Sequence, residues 1–155
     1  MRGKRAKKRS IVPDPIYKSK VVSRMINTVM ERGKKSLAVK IVYSSMEKLS
    51  EDEKERLRIL EQAVKNVMPQ QEVRSKRIGG ATYQVPVPLR HDRSEALAVR
   101  WIVESAKSKK GKSMVEKLYS VLNDSYQNTG DAIKKRDEVH RMAEANRAFA
   151  HFARF

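Results

Sequence analysis

Arg74, Lys76 and Arg77 fall within four residues of one another, just ahead of a Gly79-Gly80 pair and of Tyr83, in the stretch VRSKRIGGATYQVPVP (residues 73–88). Such residues do recognition rather than turnover. Lysine delivers a compact point charge to phosphate, and arginine a planar fork that grips phosphate or stacks on a base. Tyr83 offers a ring to an unpaired base, or packs against Lys76 beside it. Arg90 and Arg93 follow the stretch, and two more concentrations of cations lie elsewhere. MRGKRAKKRS brings Arg2, Lys4, Arg5, Lys7, Lys8 and Arg9 with no acid; KSKKGKS brings Lys107, Lys109, Lys110 and Lys112 around Gly111.

Catalytic machinery is harder to assemble. The three histidines, His91, His140 and His151, are widely spaced. His140 and Glu144 stand one helical turn apart, but HRMAE lacks the second histidine of a zinc-hydrolase helix. The absence of cysteine removes disulfides, thiolate zinc sites and thiol nucleophiles together. Neither glycine-rich phosphate-loop pattern occurs. The acids mostly alternate with Lys or Arg at helical spacing, as on an exposed, ion-paired face. We therefore expect no catalytic residue, metal, cofactor or small-molecule substrate, and histidines that lie at the surface or on phosphate.

Across the 155 residues, 35 Lys+Arg against 18 Asp+Glu leave a net charge of +17. Solubility of a small domain needs a magnitude of only about 2–8, so the excess points to a polyanion, nucleic acid before an anionic membrane. No apolar run approaches the ~18 residues of a spanning helix, and the N-terminus lacks a signal peptide's apolar centre. The acids concentrate at residues 47–61 and the cations elsewhere, as a binding face requires. A cytosolic setting fits the lack of cysteine. Composition leaves RNA and DNA both open.

Helices must carry these groups. Val21, Val22, Met25, Ile26, Val29 and Met30 form one stripe after a capping Ser19, with Gly33 placed for a left-handed end. A second helix spans roughly Lys34 to Leu49, SEDEKER reads as an acidic connector, and a third helix runs roughly Glu55 to Met68, stopping at Pro69. The period then shortens to two. Gly79-Gly80 reads as the tip of a tight hairpin that sets Ile78 opposite Ala81, Lys76 opposite Tyr83 and Arg74 opposite Val85. Asp92 and Glu95 resemble a capping box for a buried fourth helix from Arg93 to about Lys107, whose narrow polar stripe is Arg93, Arg100, Glu104 and Lys107. Ser113 and Glu116 cap a fifth helix, QNTGD ends it, and a last helix carries KKRDEVHRMAEANRAFAHF. The expected fold is mainly α: one six-helix, bundle-like domain over residues 1–155. A β-hairpin at 72–90 protrudes between the third and fourth helices, and a flexible basic arm covers 1–18.

VRSKRIGGATYQVPVP, ALAVRWIVESAK, KKRDEVHRMAEANRAFAHF and PDPIYKSKVVSRMINTVMERGKKSLAVKIVY together resemble the universal seventh small-subunit ribosomal protein family in its bacterial form, over nearly the whole chain. The resemblance implies a cytoplasmic constituent of the small ribosomal subunit. It would bind the 3′ major domain of 16S rRNA directly and nucleate assembly of the 30S head. Its hairpin would lie near the exit-site tRNA and mRNA, and its neighbours would include the ninth and eleventh small-subunit proteins. Some family members repress their own messenger. Carried over residue by residue, the resemblance implies rRNA contacts for the arm (Arg2 to Arg9), Lys34, Lys35, Arg74, Lys76, Arg77, Arg93, Arg100, Arg141 and Arg147, with Lys110 and Lys112 added by the charge of the linker. It places Lys76, Arg77, Gly79, Gly80 and Tyr83 near the exit-site ligand. The chain's end, AHFARF, departs from the Tyr-basic-Trp finish frequent in the family, so no role carries over beyond Arg147.

Overall fold

Ser19 ends the extended N-terminal run and starts the first helix. Its Oγ accepts the Val21 amide at 3.3 Å and donates to Glu61 Oε1 at 3.1 Å, so the cap also ties two helices together. The computed structural model describes Gly3, Ala6 and residues 10–154; the arm cations Arg2, Lys4, Arg5, Lys7, Lys8 and Arg9 lie outside the described residues. The elements are α1 (Lys20–Val29), α2 (Lys35–Glu47), α3 (Glu53–Val67), β1 (Gln71–Ile78), β2 (Ala81–Pro88), α4 (His91–Ser108), α5 (Met114–Tyr126), α6 (Asp131–Ala145) and a C-terminal 3-10 helix (Arg147–Arg154). The architecture is the expected one, mainly helical with a single hairpin between α3 and α4.

The all-round apolar pattern of α4 makes it the central element. Leu97, Ala98, Val99, Trp101, Ile102 and Val103 are buried, and α1, α3, α5 and α6 pack around them. Met25, Met46, Leu60, Leu118 and Leu122 fill the spaces between, none of them exposed at all. Burying one such side chain stabilises the fold by ~1.5–3 kcal/mol. This core fixes the two ends of α4, where the cationic segments are attached.

Three local readings need correction. SEDEKER is not all connector: Asp52 Oδ1 accepts the Lys54 amide at 3.2 Å, and α3 begins at Glu53 with its acids in the first turn, where the helix dipole favours them. At α4 no capping box forms. The helix starts two residues early, at His91, and the Glu95 carboxylate takes Arg24 of α1 at 2.6 Å instead. A partly buried interhelical ion pair displaces the local cap. The final helix does not run on to Phe152; it stops at Ala145, where Asn146 caps it by donating to the Met142 carbonyl from both its backbone N (3.2 Å) and Nδ2 (2.7 Å). Ser113 caps α5 as expected, accepting the Glu116 amide at 3.4 Å.

The hairpin has the expected register, Ile78 with Ala81, Lys76 with Tyr83 and Arg74 with Val85. Gly79 and Gly80 take φ of +56° and +89°, the positive pair that a two-residue primed turn requires. An isolated two-stranded ribbon is marginal in water, and this one is braced. At its base the Gln70 amide donates to His140 Nε2 at 3.0 Å, and the Ser94 hydroxyl donates to the Pro69 carbonyl at 2.5 Å. His140 is therefore committed to the fold rather than to phosphate. Along its length β1 lies against α6 and β2 against the 3-10 helix.

Candidate nucleic-acid interface

The α1–α2 turn and the α4–α5 linker meet at one end of the body. Lys107 near the end of α4 reaches Glu31 just past α1 at 2.5 Å, and that hydrogen bond and charge hold the Glu31 carboxyl below its ordinary range. Arg32, Lys34 and Lys107 border one hollow there. Lys34 and Lys35 are exposed and have no ion-pair partner among the described residues. They sit at the cap and first position of α2, whose first turn has no acid. The helix dipole disfavours cations at that end by ~0.3–1 kcal/mol each at exposed sites, so these lysines do not serve the helix. A positive dipole end with Arg32, Lys34 and Lys35 gathered beside it suits an anion. In the linker, Lys109 is tied to Asp124 at 3.1 Å and to Ser120 at 2.8 Å, while Lys110 and Lys112 are exposed and unpaired among the described residues. Arg32, with φ of +51°, joins this group although the sequence did not single it out.

Opposite, at the α4 N-terminus, two of the three hairpin cations have partners. Glu72 accepts Arg74 on one oxygen at 2.5 Å and Arg93 on the other at 3.4 Å. Lys76 Nζ donates to the Phe152 carbonyl at 3.0 Å. On the outer face, with Ser75, Thr82 and Gln84, only Arg77 of the three hairpin cations is exposed with no such contact among the described residues. Gly79 and Gly80 form an exposed tip. The Tyr83 ring lies 5.3 Å from Phe149 and 5.2 Å from Phe152, centroid to centroid.

The polar stripe of α4 joins the two ends. Arg93, Arg100, Glu104 and Lys107 are all exposed and fall within about 60° of arc on the helix. Arg100 and Arg141 are exposed without an ion pair among the described residues; Arg147 meets Glu144 at 3.2 Å.

Asp14, which sequence reading passed over as part of the arm, sets where the N-terminal segment leaves the body. It is only 4% exposed. Its Oδ2 accepts the Ile16 and Tyr17 amides at 3.1 Å each, and its Oδ1 accepts the Tyr43 hydroxyl at 2.8 Å. Burial, then the bond to Asp14, pushes the Tyr43 hydroxyl up to about 12. The chain consequently runs over α1 and α2, where Ser10 and Lys35 border one hollow. The Asp-Pro pair after Val12-Pro13 was the available signal.

Among the described residues, no group of three or more His, Asp or Glu side chains could hold a metal ion, and no helix is long and apolar enough to cross a membrane. The fold and charge define a class: a cationic, mainly helical protein that presents exposed lysines and arginines at both ends of a rigid core, suited to a folded polyanion. The family described as Ribosomal protein S7p/S5e matches residues 1–147, and the chain belongs to that family. It is 58% identical over 153 residues to the small ribosomal subunit protein uS7 of Thermosipho africanus, covering 98% of this chain and 99% of the relative. The uS7 of Petrotoga mobilis is 56% identical with the same coverage, and that of Chloroflexus aggregans 54% identical over 95% of this chain and 94% of its own. The family is one of ribosomal structural proteins rather than an enzyme class.

Proposed function

We propose that this ribosomal protein is a constituent of the small subunit that binds 16S rRNA directly, in the 3′ major domain, and nucleates folding of the 30S head. Five exposed cations at the linker end, Arg32, Lys34, Lys35, Lys110 and Lys112, provide the main grip, and the arm cations Arg2, Lys4, Arg5, Lys7, Lys8 and Arg9 add to it. Arg93, Arg100, Arg141 and Arg147 carry the contact along the body. The hairpin, with Lys76, Arg77, Gly79, Gly80 and Tyr83, lies near the exit-site tRNA and mRNA, and the ninth and eleventh small-subunit proteins are neighbours.

The observation that carries this reading is the cation group on the α2 N-terminus and the linker, where Lys34, Lys35, Lys110 and Lys112 are exposed with no ion-pair partner among the described residues. In a folded protein such charges add self-repulsion and contribute nothing to the core; they gain only when phosphate arrives and counterions leave. Chemical footprinting of 16S rRNA with the isolated protein tests it. Protections should cluster in the 3′ major domain and persist under excess duplex DNA, because RNA is read through irregular shape and 2′-hydroxyls. Protections scattered over the whole transcript, or erased by duplex DNA, would sink the assignment.

A further inference from the structure

We infer that the C-terminal 3-10 helix is a clasp that sets the hairpin's direction, with Phe149 and Phe152 as positioning residues that grip Tyr83. The inference rests on the hairpin's proposed role at RNA. Phe149 and Phe152 take this role from their geometry.

The two phenylalanines stand three positions apart, and a 3-10 helix has three residues per turn, so their side chains eclipse. The rings are accordingly near-parallel, 9° apart in plane with centroids at 6.3 Å. Tyr83 leans on both at once, tilted 53° to one and 46° to the other. An α-helix continued past Asn146 would spread the two rings by about 300° of rotation instead of a full turn, which explains why the segment changes type where it meets the hairpin. A fourth contact locks the strand opposite: Lys76, the cross-strand partner of Tyr83, donates to the Phe152 carbonyl. The clasp thereby holds one residue of each strand, on the face away from Arg77.

Without it the ribbon keeps its base and the packing of β1 on α6 but loses the support along β2, and a two-stranded ribbon has little stability of its own. The cost of ordering it would then fall on the RNA-bound state. Each aromatic pair is worth about a two- to twelve-fold change in population. The test compares the full-length protein with Phe149→Ala/Phe152→Ala, by amide hydrogen exchange and by binding to 16S rRNA. The expected result is exchange about ten-fold faster in residues 73–85, unchanged exchange in α3 and α4, and several-fold weaker rRNA binding at an unaltered salt slope, since no charge is lost. Phe149→Tyr/Phe152→Tyr should restore both readouts. Hairpin exchange equal to wild type would overturn the clasp, and so would tighter rRNA binding, which would make the segment a cover competing with RNA. If the wild-type protein failed to bind rRNA, the functional reading would fall while the exchange result still decided the clasp.

Discussion

Both ends of α4 gather lysines and arginines and use them differently. At the hairpin end Arg74 and Arg93 share the Glu72 carboxylate and Lys76 is held by a backbone carbonyl. At the linker end, about 27 Å along the 18-residue helix, Lys34, Lys35, Lys110 and Lys112 face solvent without partners among the described residues. The first arrangement fixes geometry, and the second leaves charge uncommitted. A paired guanidinium must give up its carboxylate before it gains a phosphate, so its contribution to affinity is small. The linker end should therefore supply most of the affinity and the hairpin end most of the placement.

The largest break in that contrast comes from Lys34→Gln/Lys35→Gln/Lys110→Gln/Lys112→Gln. Filter binding to 16S rRNA at 0.1 M salt should weaken by about 10³-fold, with the log–log salt slope shallower by about 3. Loss of less than ten-fold would mean that the ends are not specialised. Removing residues 75–83 should lower affinity by only about ten-fold, while calorimetry still shows one cooperative transition of the helical body, because the Gln70–His140 and Ser94–Pro69 ties lie outside the deletion. A body that no longer melts cooperatively would show the hairpin to be part of the core. Arg74→Gln/Arg93→Gln should cost less again, and Glu72→Gln should tighten binding about three-fold by releasing both guanidiniums. Weaker binding by Glu72→Gln would mean that the carboxylate aims the arginines rather than occupying them.

The smallest effect is expected away from both ends. Tyr43→Phe removes the hydroxyl that donates to Asp14 and should lower stability by ~1 kcal/mol, read by urea unfolding at pH 7. The Tyr43 pKa in the fold, about 12, stands above its ordinary 10, so its contribution is whole below pH 10 and fades as pH climbs through 12. The gap between wild type and variant should close over that window. A gap constant from pH 9 to 12 would contradict the Asp14–Tyr43 account.

Periodicity made α1, α2, α5 and the buried face of α4 legible, because each stripe meets a core that needs nothing more specific than apolar surface. The hairpin was legible too, since Gly-Gly between period-two runs admits few other turns. The start of α4 was not: Glu95 suits a capping box by spacing, but its partner Arg24 is 71 residues away and only the fold brings them together. The break after Ala145 was hidden for the same reason. Phe149 and Phe152 fit a continuing helix locally, and the ring that diverts them belongs to β2. For the candidate interface, sequence gave the cations but not which of them have partners. Glu72 lies two residues from Arg74 and 21 from Arg93, and only the second distance needs the fold. Arg32 was passed over because one arginine in a turn carries no pattern.

The most direct test of the central claim is the salt dependence of wild-type binding to the 3′ major domain of 16S rRNA. Five uncommitted cations predict a log–log slope of about −4 from the linker end alone, and a steeper one if the arm engages. A slope near zero would contradict the account, since the phosphate scaffold would then not be what these lysines and arginines hold.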